Sequence, residues 1–159
     1  MTKRGYRGKS RLKSAVERTP DVKGHYEEGL HAMGSDSKYV KVPDTTLLLG
    51  SLNIDDATKD IYPDENRWDY AIEYKGEVFF IEVHAASTSE VGVMVGKLEW
   101  LKNWLEGKAP LIGRLRSKNK NAYYWVFTKK NGIIPTSSQY KKLAAVGLKL
   151  MRQWNYNRI

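Results

Sequence analysis

The chain has 159 residues, with 27 Lys+Arg against 18 Asp+Glu, no cysteine and a hydrophobic fraction of 41%. Its length fits one core, and the lack of cysteine excludes a disulfide framework, a thiolate metal site and a thiol nucleophile, so any chemistry rests on oxygen and nitrogen groups. No apolar stretch nears the roughly 20 residues of a spanning helix, and no apolar run follows the basic residues between Met1 and Leu12; the expectation is a soluble, cytoplasmic protein.

The net charge of +9 hides a sharper division. Residues 1–14 carry six Lys/Arg and no acid, and residues 107–159 carry twelve Lys/Arg and no acid, so all 18 acids lie between residues 15 and 106. A surface charged only for solubility intersperses its signs. A wholly basic final third points to a polyanionic partner, nucleic acid before membrane.

In chain order, residues 1–14 read as a disordered basic arm, with Tyr6 and Leu12 alone to bury, and residues 15–159 as a single folded domain. Thr19-Pro20-Asp21 opens a short helix through Val22, Tyr26, Leu30 and Met33, stopped by Gly34-Ser35 and carrying Glu27 and Glu28. Thr45–Leu49 predicts a strand, followed by an acidic loop with Asp55, Asp56, Asp60, Asp64 and Glu65. Residues 68–84 (WDYAIEYKGEVFFIEVH) predict a hairpin around Lys75-Gly76. A helix follows with Val91, Met94, Val95, Leu98, Leu101, Trp104 and Leu105 on one broad face, then a strand over 121–128 and a last helix over 136–152.

A two-residue turn fixes the register of a hairpin. With Lys75-Gly76 as that turn, Tyr74 opposes Glu77 and Asp69 opposes Glu82. One side then holds Trp68, Tyr70, Ile72, Tyr74, Phe79, Ile81 and Val83, and the other holds Arg67, Asp69, Ala71 and Glu73 against Val78, Phe80, Glu82 and His84. A one-residue slip would mix these faces. Opposed carboxylates have Cβ atoms about 5 Å apart, a repulsion on the order of 3 kcal/mol at an effective dielectric of 20. Something offsets it. A divalent cation such as Mg²⁺ on Asp69 and Glu82 would do so, and neutralisation by Arg67 and Lys97 is the alternative.

This order of elements, with Asp69 on the first hairpin strand and Glu82-Val83-His84 closing the second, resembles the PD-(D/E)XK nuclease superfamily over about residues 20–130. The resemblance implies a restriction-endonuclease-like α/β fold, in which a central mixed sheet of about four strands is flanked by helices in the order αβββαβα. It also implies that Asp69 and Glu82 bind Mg²⁺ or Mn²⁺, that a lysine orients or activates water, and that Glu28 of the first helix assists, with Glu27 as the alternative. Pro63-Asp64 matches the motif's letters but lies in the loop before the hairpin. The motif lysine is replaced by His84, whose imidazole can accept a proton near neutral pH. His84 is therefore the first candidate for the lysine's work and Lys97 the second.

The expected function is a metal-dependent nuclease hydrolysing phosphodiester bonds, DNA ahead of RNA. Arg114, Arg116, Lys118 and Lys120, with Lys129 and Lys130 beyond the next strand, would contact phosphates. A homodimer would suit an enzyme of this size that cuts both strands of a duplex. Two alternatives stay open. One is a catalytically inactive nucleic-acid-binding member of the same fold. The other is a metal-independent ribonuclease using Glu82 and His84.

Overall fold

The computed structural model describes residues 9–159. Its strands are β1 (Tyr26–Glu28), β2 (Val40–Lys41), β3 (Leu48–Asn53), β4 (Tyr70–Tyr74), β5 (Glu77–His84), β6 (Tyr123–Phe127), β7 (Leu148–Met151) and β8 (Trp154–Asn155). Its helices are α1 (Arg11–Glu17), α2 (Ile54–Thr58), α3 (Val91–Gly107), α4 (Pro110–Gly113) and α5 (Ser138–Val146). The protein is α/β. Six strands form one mixed sheet in the order β1-β3-β4-β5-β6-β7, antiparallel from β1 to β5 and parallel from β5 to β7, while β2 and β8 pair separately.

The β4–β5 hairpin is the organising element. Lys75 and Gly76 both take positive φ, 54° and 78°, the signature of a type I′ turn, whose twist suits a two-residue hairpin. Tyr70 pairs with Ile81, Ile72 with Phe79 and Tyr74 with Glu77, as the turn requires. Both hairpin faces are buried. Tyr70, Ile72, Tyr74, Phe79 and Ile81 pack with Met33, Tyr124 and Trp154 under the 3₁₀ segment His31–Tyr39 and the chain's last residues. Ala71, Val78 and Phe80 pack on the opposite side with Leu12 and Val16 of α1 and with Met94, Leu98 and Leu101 of α3. The six apolar positions of α3 that are buried recur every three or four residues, so α3 lies lengthwise over the sheet face that carries the carboxylates.

Several expectations are corrected. The sheet has six strands rather than about four. The arm expected over 1–14 is helical from Arg11, because Leu12, Ala15 and Val16 make a buried stripe and Ser10 Oγ caps the helix by accepting from Lys13 N–H; the arm's residues 1–8 lie outside the described residues. The helix expected through Val22–Met33 is a 3₁₀ turn (Pro20–Val22), strand β1 and a second 3₁₀ segment, because Gly24 and Gly29 adopt positive φ, where a right-handed helix cannot continue. The last helix ends at Val146, since Gly147 takes the left-handed conformation (φ 77°) and donates to the carbonyls of Ala144 and Leu143. The chain beyond it pairs in parallel with β6. Trp68 precedes the first paired residue of β4 and packs with Ala71 and Phe80, not with Tyr70.

Candidate functional site

At the open end of the hairpin, side chains take over from the backbone ladder. The Asp69 N–H donates to Glu82 Oε2 at 2.9 Å, and the Val83 N–H donates to Asp69 Oδ2 at 3.1 Å. The carbonyl of Asp69 accepts from Ile54 N–H at 2.8 Å, which ties this corner to the start of α2. Lys97, in the second turn of α3, reaches down onto the pair: its ammonium donates to Glu82 Oε1 and lies 3.9 Å from Asp69 Oδ1. Glu82 is fully buried, whereas the Asp69 and Lys97 side chains keep 22% and 18% exposure. Solvent therefore reaches the cluster from the Asp69 side.

Two carboxylates and one ammonium leave a net charge of −1 when all are ionised. Burial pushes the Asp69 carboxyl up, against the opposing pull of Lys97 and the Val83 N–H. Burial and then the negative charge of Asp69 push Glu82 well above the usual carboxylate range. Burial acts to lower the Lys97 ammonium, but Glu82 and Asp69 outweigh it and its pKa rises, so Lys97 stays protonated at neutral pH. The expected repulsion between Asp69 and Glu82 is thus offset by Lys97 and by two backbone N–H donors. Arg67 takes no part in this. Its Nε donates to Asp55 at 2.9 Å and its Nη1 to the carbonyls of Tyr62, Pro63 and Glu65, so it fastens the acidic loop.

The donor set suits a hard divalent cation. Asp69 Oδ2 accepts from Val83 N–H while Oδ1 faces the Lys97 ammonium at 3.9 Å, and each Glu82 oxygen has a single donor. Two carboxylates match the protein complement that Mg²⁺ commonly takes, its other positions going to water and substrate phosphate. Among the described residues no group of three or more Asp, Glu or His is placed to hold a metal ion, and the side chains that could hold one here are the pair Asp69 and Glu82.

The other sequence candidates are placed as follows. His84 is not joined to the cluster: its Nε2 pairs with Glu90 Oε2 at 3.1 Å, in the turn that leads into α3. The cation beside the two carboxylates comes from the helix as Lys97, not from the strand as His84. Glu28 lies on β1 opposite Gly50, which in turn opposes Glu73, two strands away and four positions down the sheet from the Asp69–Glu82 row. It is exposed and does not meet the pair, because the segment bearing it is an edge strand and not a helix. Glu27 is likewise exposed on that edge. The basic residues divide between the two ends of the sheet. Lys129 and Lys130 are exposed after the C-terminal end of β6, the end where Glu82 sits on parallel β5. Arg114, Arg116, Lys118 and Lys120 precede the opposite end, and the Lys120 ammonium is already bound to the Ile159 carbonyl at 3.0 Å.

Sequence reasoning passed over two partners. Glu90 was legible only as the last acid before α3, six residues from His84. Asp55 was one of several loop acids until Arg67 and the Asp69 carbonyl placed it beside the cluster. No family model matches the chain, and no curated protein or solved structure is significantly similar to it.

Proposed function

We propose that Asp69, Glu82 and Lys97 form the centre of a Mg²⁺-dependent phosphodiesterase acting on nucleic acid, DNA ahead of RNA, on a restriction-endonuclease-like fold. The observation that supports this reading is the joining of two opposed, largely buried carboxylates by an ammonium from α3, with the Asp69 side chain keeping 22% exposure. That is the charge set of the PD-(D/E)XK motif, with its lysine supplied by α3.

In this reading Asp69 and Glu82 would hold the cation, which when bound would supply positive charge against the negative charge developing on the phosphate oxygens. Lys97 is protonated, so it serves as a donor and not as a base: it orients the attacking water and a non-bridging phosphate oxygen. The two backbone N–H bonds hold Asp69 and Glu82 in place before substrate arrives. Lys129 and Lys130, exposed at the same end of the sheet, would bind the phosphates that flank the reacting one. A second reading, an inactive nucleic-acid binder, is favoured by the same Lys97 contact, because an ion pair of this kind also completes a purely structural charge cluster.

The test is incubation of plasmid and single-stranded DNA with Mn²⁺ or Mg²⁺, or with EDTA. Metal-dependent cutting that falls at least 100-fold in Asp69→Asn, Glu82→Gln and Lys97→Met, with DNA binding kept, is the expected result. Cutting that continues in EDTA or in Asp69→Asn would overturn the proposal. Binding without cutting under either metal leaves the second reading.

A further inference from the structure

A cleft of about 600 Å³ opens between the C-terminal half of α3, the short helix α4 with the chain after it, and the start of β6. Lys102, Arg114 and Arg116 line it with Tyr123, and Glu106 is its one acid. Lys97 and Lys102 are five residues apart on α3, so at 100° per residue they leave the helix about 140° apart. Lys97 points to the hairpin, whereas the Lys102 ammonium lies 5.0 Å from the Tyr123 ring and donates to the Val146 carbonyl at 3.2 Å. The cleft is therefore on the other flank of α3 from the carboxylate cluster.

Its cations are set in place without being neutralised. Arg116 is fixed by a parallel bridge to Val78 and by its Nη1, which donates to the Gly113 carbonyl at 3.0 Å. Among the described residues neither Arg114 nor Arg116 is in an ion pair. The Tyr123 ring is stacked on Phe80, with centroids 5.7 Å apart, which leaves its hydroxyl as the group to offer. Three cations and a phenol around an open cleft match the tetrahedral oxygens of phosphate. With its ring already engaged, Tyr123 favours contact with the backbone over stacking on a base.

We propose that the cleft formed by Lys102, Arg114, Arg116 and Tyr123 is a second phosphate-binding site, which holds the backbone of a nucleic-acid strand away from the carboxylate cluster. It rests on the nucleic-acid part of the reading above and not on catalysis. A strand is favoured over a free phosphate because the cleft is open and holds three cations against one acid, in a chain whose residues 107–159 carry twelve Lys/Arg and no acid. Contacts of this kind are indifferent to sequence and sensitive to salt.

The experiment is fluorescence anisotropy with labelled single-stranded and duplex DNA over a range of salt. It compares wild type, Arg114→Gln/Arg116→Gln, and Lys141→Gln/Lys142→Gln as a control that removes equal charge from the exposed face of α5. The cleft variant is expected to bind about 10-fold more weakly, with a log–log salt slope shallower by about 1 to 2. The α5 control binds as wild type. Equal losses in the cleft and α5 variants would reduce the effect to net charge and overturn the site, as would unchanged binding in the cleft variant. Inorganic phosphate that binds wild type, in an assay where DNA does not, would overturn the strand. Cleft-dependent binding with no cutting under Mn²⁺ would sink the catalytic proposal alone.

Discussion

The hairpin carries buried carboxylates at both of its ends, on the same face, and they are treated differently. Near the turn, Glu73 is fully buried and accepts from Ser10 Oγ and from the Arg11 N–H at 2.9 Å, so it sits at the N-terminus of α1, where a negative charge is favoured. No second acid faces it: its partner on β5 is Val78. At the open end Asp69 and Glu82 oppose one another, share one lysine and stay partly wet. A single carboxylate answered by backbone and hydroxyl donors is sufficient to fasten a helix. The doubled charge at the open end needs a cation as well as backbone donors, and Lys97 supplies it.

The largest expected effect comes from removing the shared cation. Lys97→Met leaves two buried carboxylates without their counter-ion and is expected to destabilise the protein by about 3–5 kcal/mol in urea unfolding. Adding Mn²⁺ should restore part of that loss, by the linkage between binding and folding; no recovery would argue against an ion site. At the other end, Glu73→Ala leaves the Ser10 hydroxyl and the Arg11 N–H unanswered and is expected to cost about 1–3 kcal/mol. It should leave metal-dependent cutting of DNA unchanged, which separates the two ends by activity as well as by stability.

The smallest effect is in the pH dependence. Glu82 and Asp69 hold their protons to higher pH when folded than when unfolded. Between the ordinary carboxylate pKa, near 4, and the raised folded values, the native state binds more protons, so stability falls as pH rises, by at most about 1.4 kcal/mol per pH unit for each group. Lys97 is raised in the opposite charge sense and adds nothing to this window, because its own loss begins only above pH 10 or so. Unfolding midpoints of Glu82→Gln measured from pH 4.5 to 8 should be flatter than those of wild type. A wild-type midpoint that rises across this range would show that burial does not hold the protons.

Where local chemistry decides the structure, the sequence was sufficient. Lys75-Gly76 set the register of β4 and β5, and the apolar spacing from Val91 to Leu105 outlined α3. The opposition of Asp69 and Glu82 followed from the turn. The identity of the third group did not, because strand proximity favoured His84 and only the docking of α3 brings Lys97 over the pair. A trace of this was present: Lys97 lies beside Met94, Leu98 and Leu101 at helical spacing, at the rim of the buried stripe. The amino-terminal region was less legible. Its Lys/Arg density hid the stripe of Leu12, Ala15 and Val16, and β1 gains its place by pairing with β3 rather than through any pattern of its own. The edge strand β7 was absorbed into the preceding helix because Leu148 and Met151 also suit a helical period, and Gly147 was the signal that separated them.

That the ammonium arrives from a helix and the carboxylates from a ribbon has a consequence for how the centre is made. A folding chain that has zipped its hairpin but not yet seated α3 carries two acids in an arrangement that repels itself. Seating α3 on the sheet and completing the charge cluster are therefore one event. In a half-assembled molecule the two acids lack their counter-ion, and their mutual repulsion favours the seating of the helix that brings it.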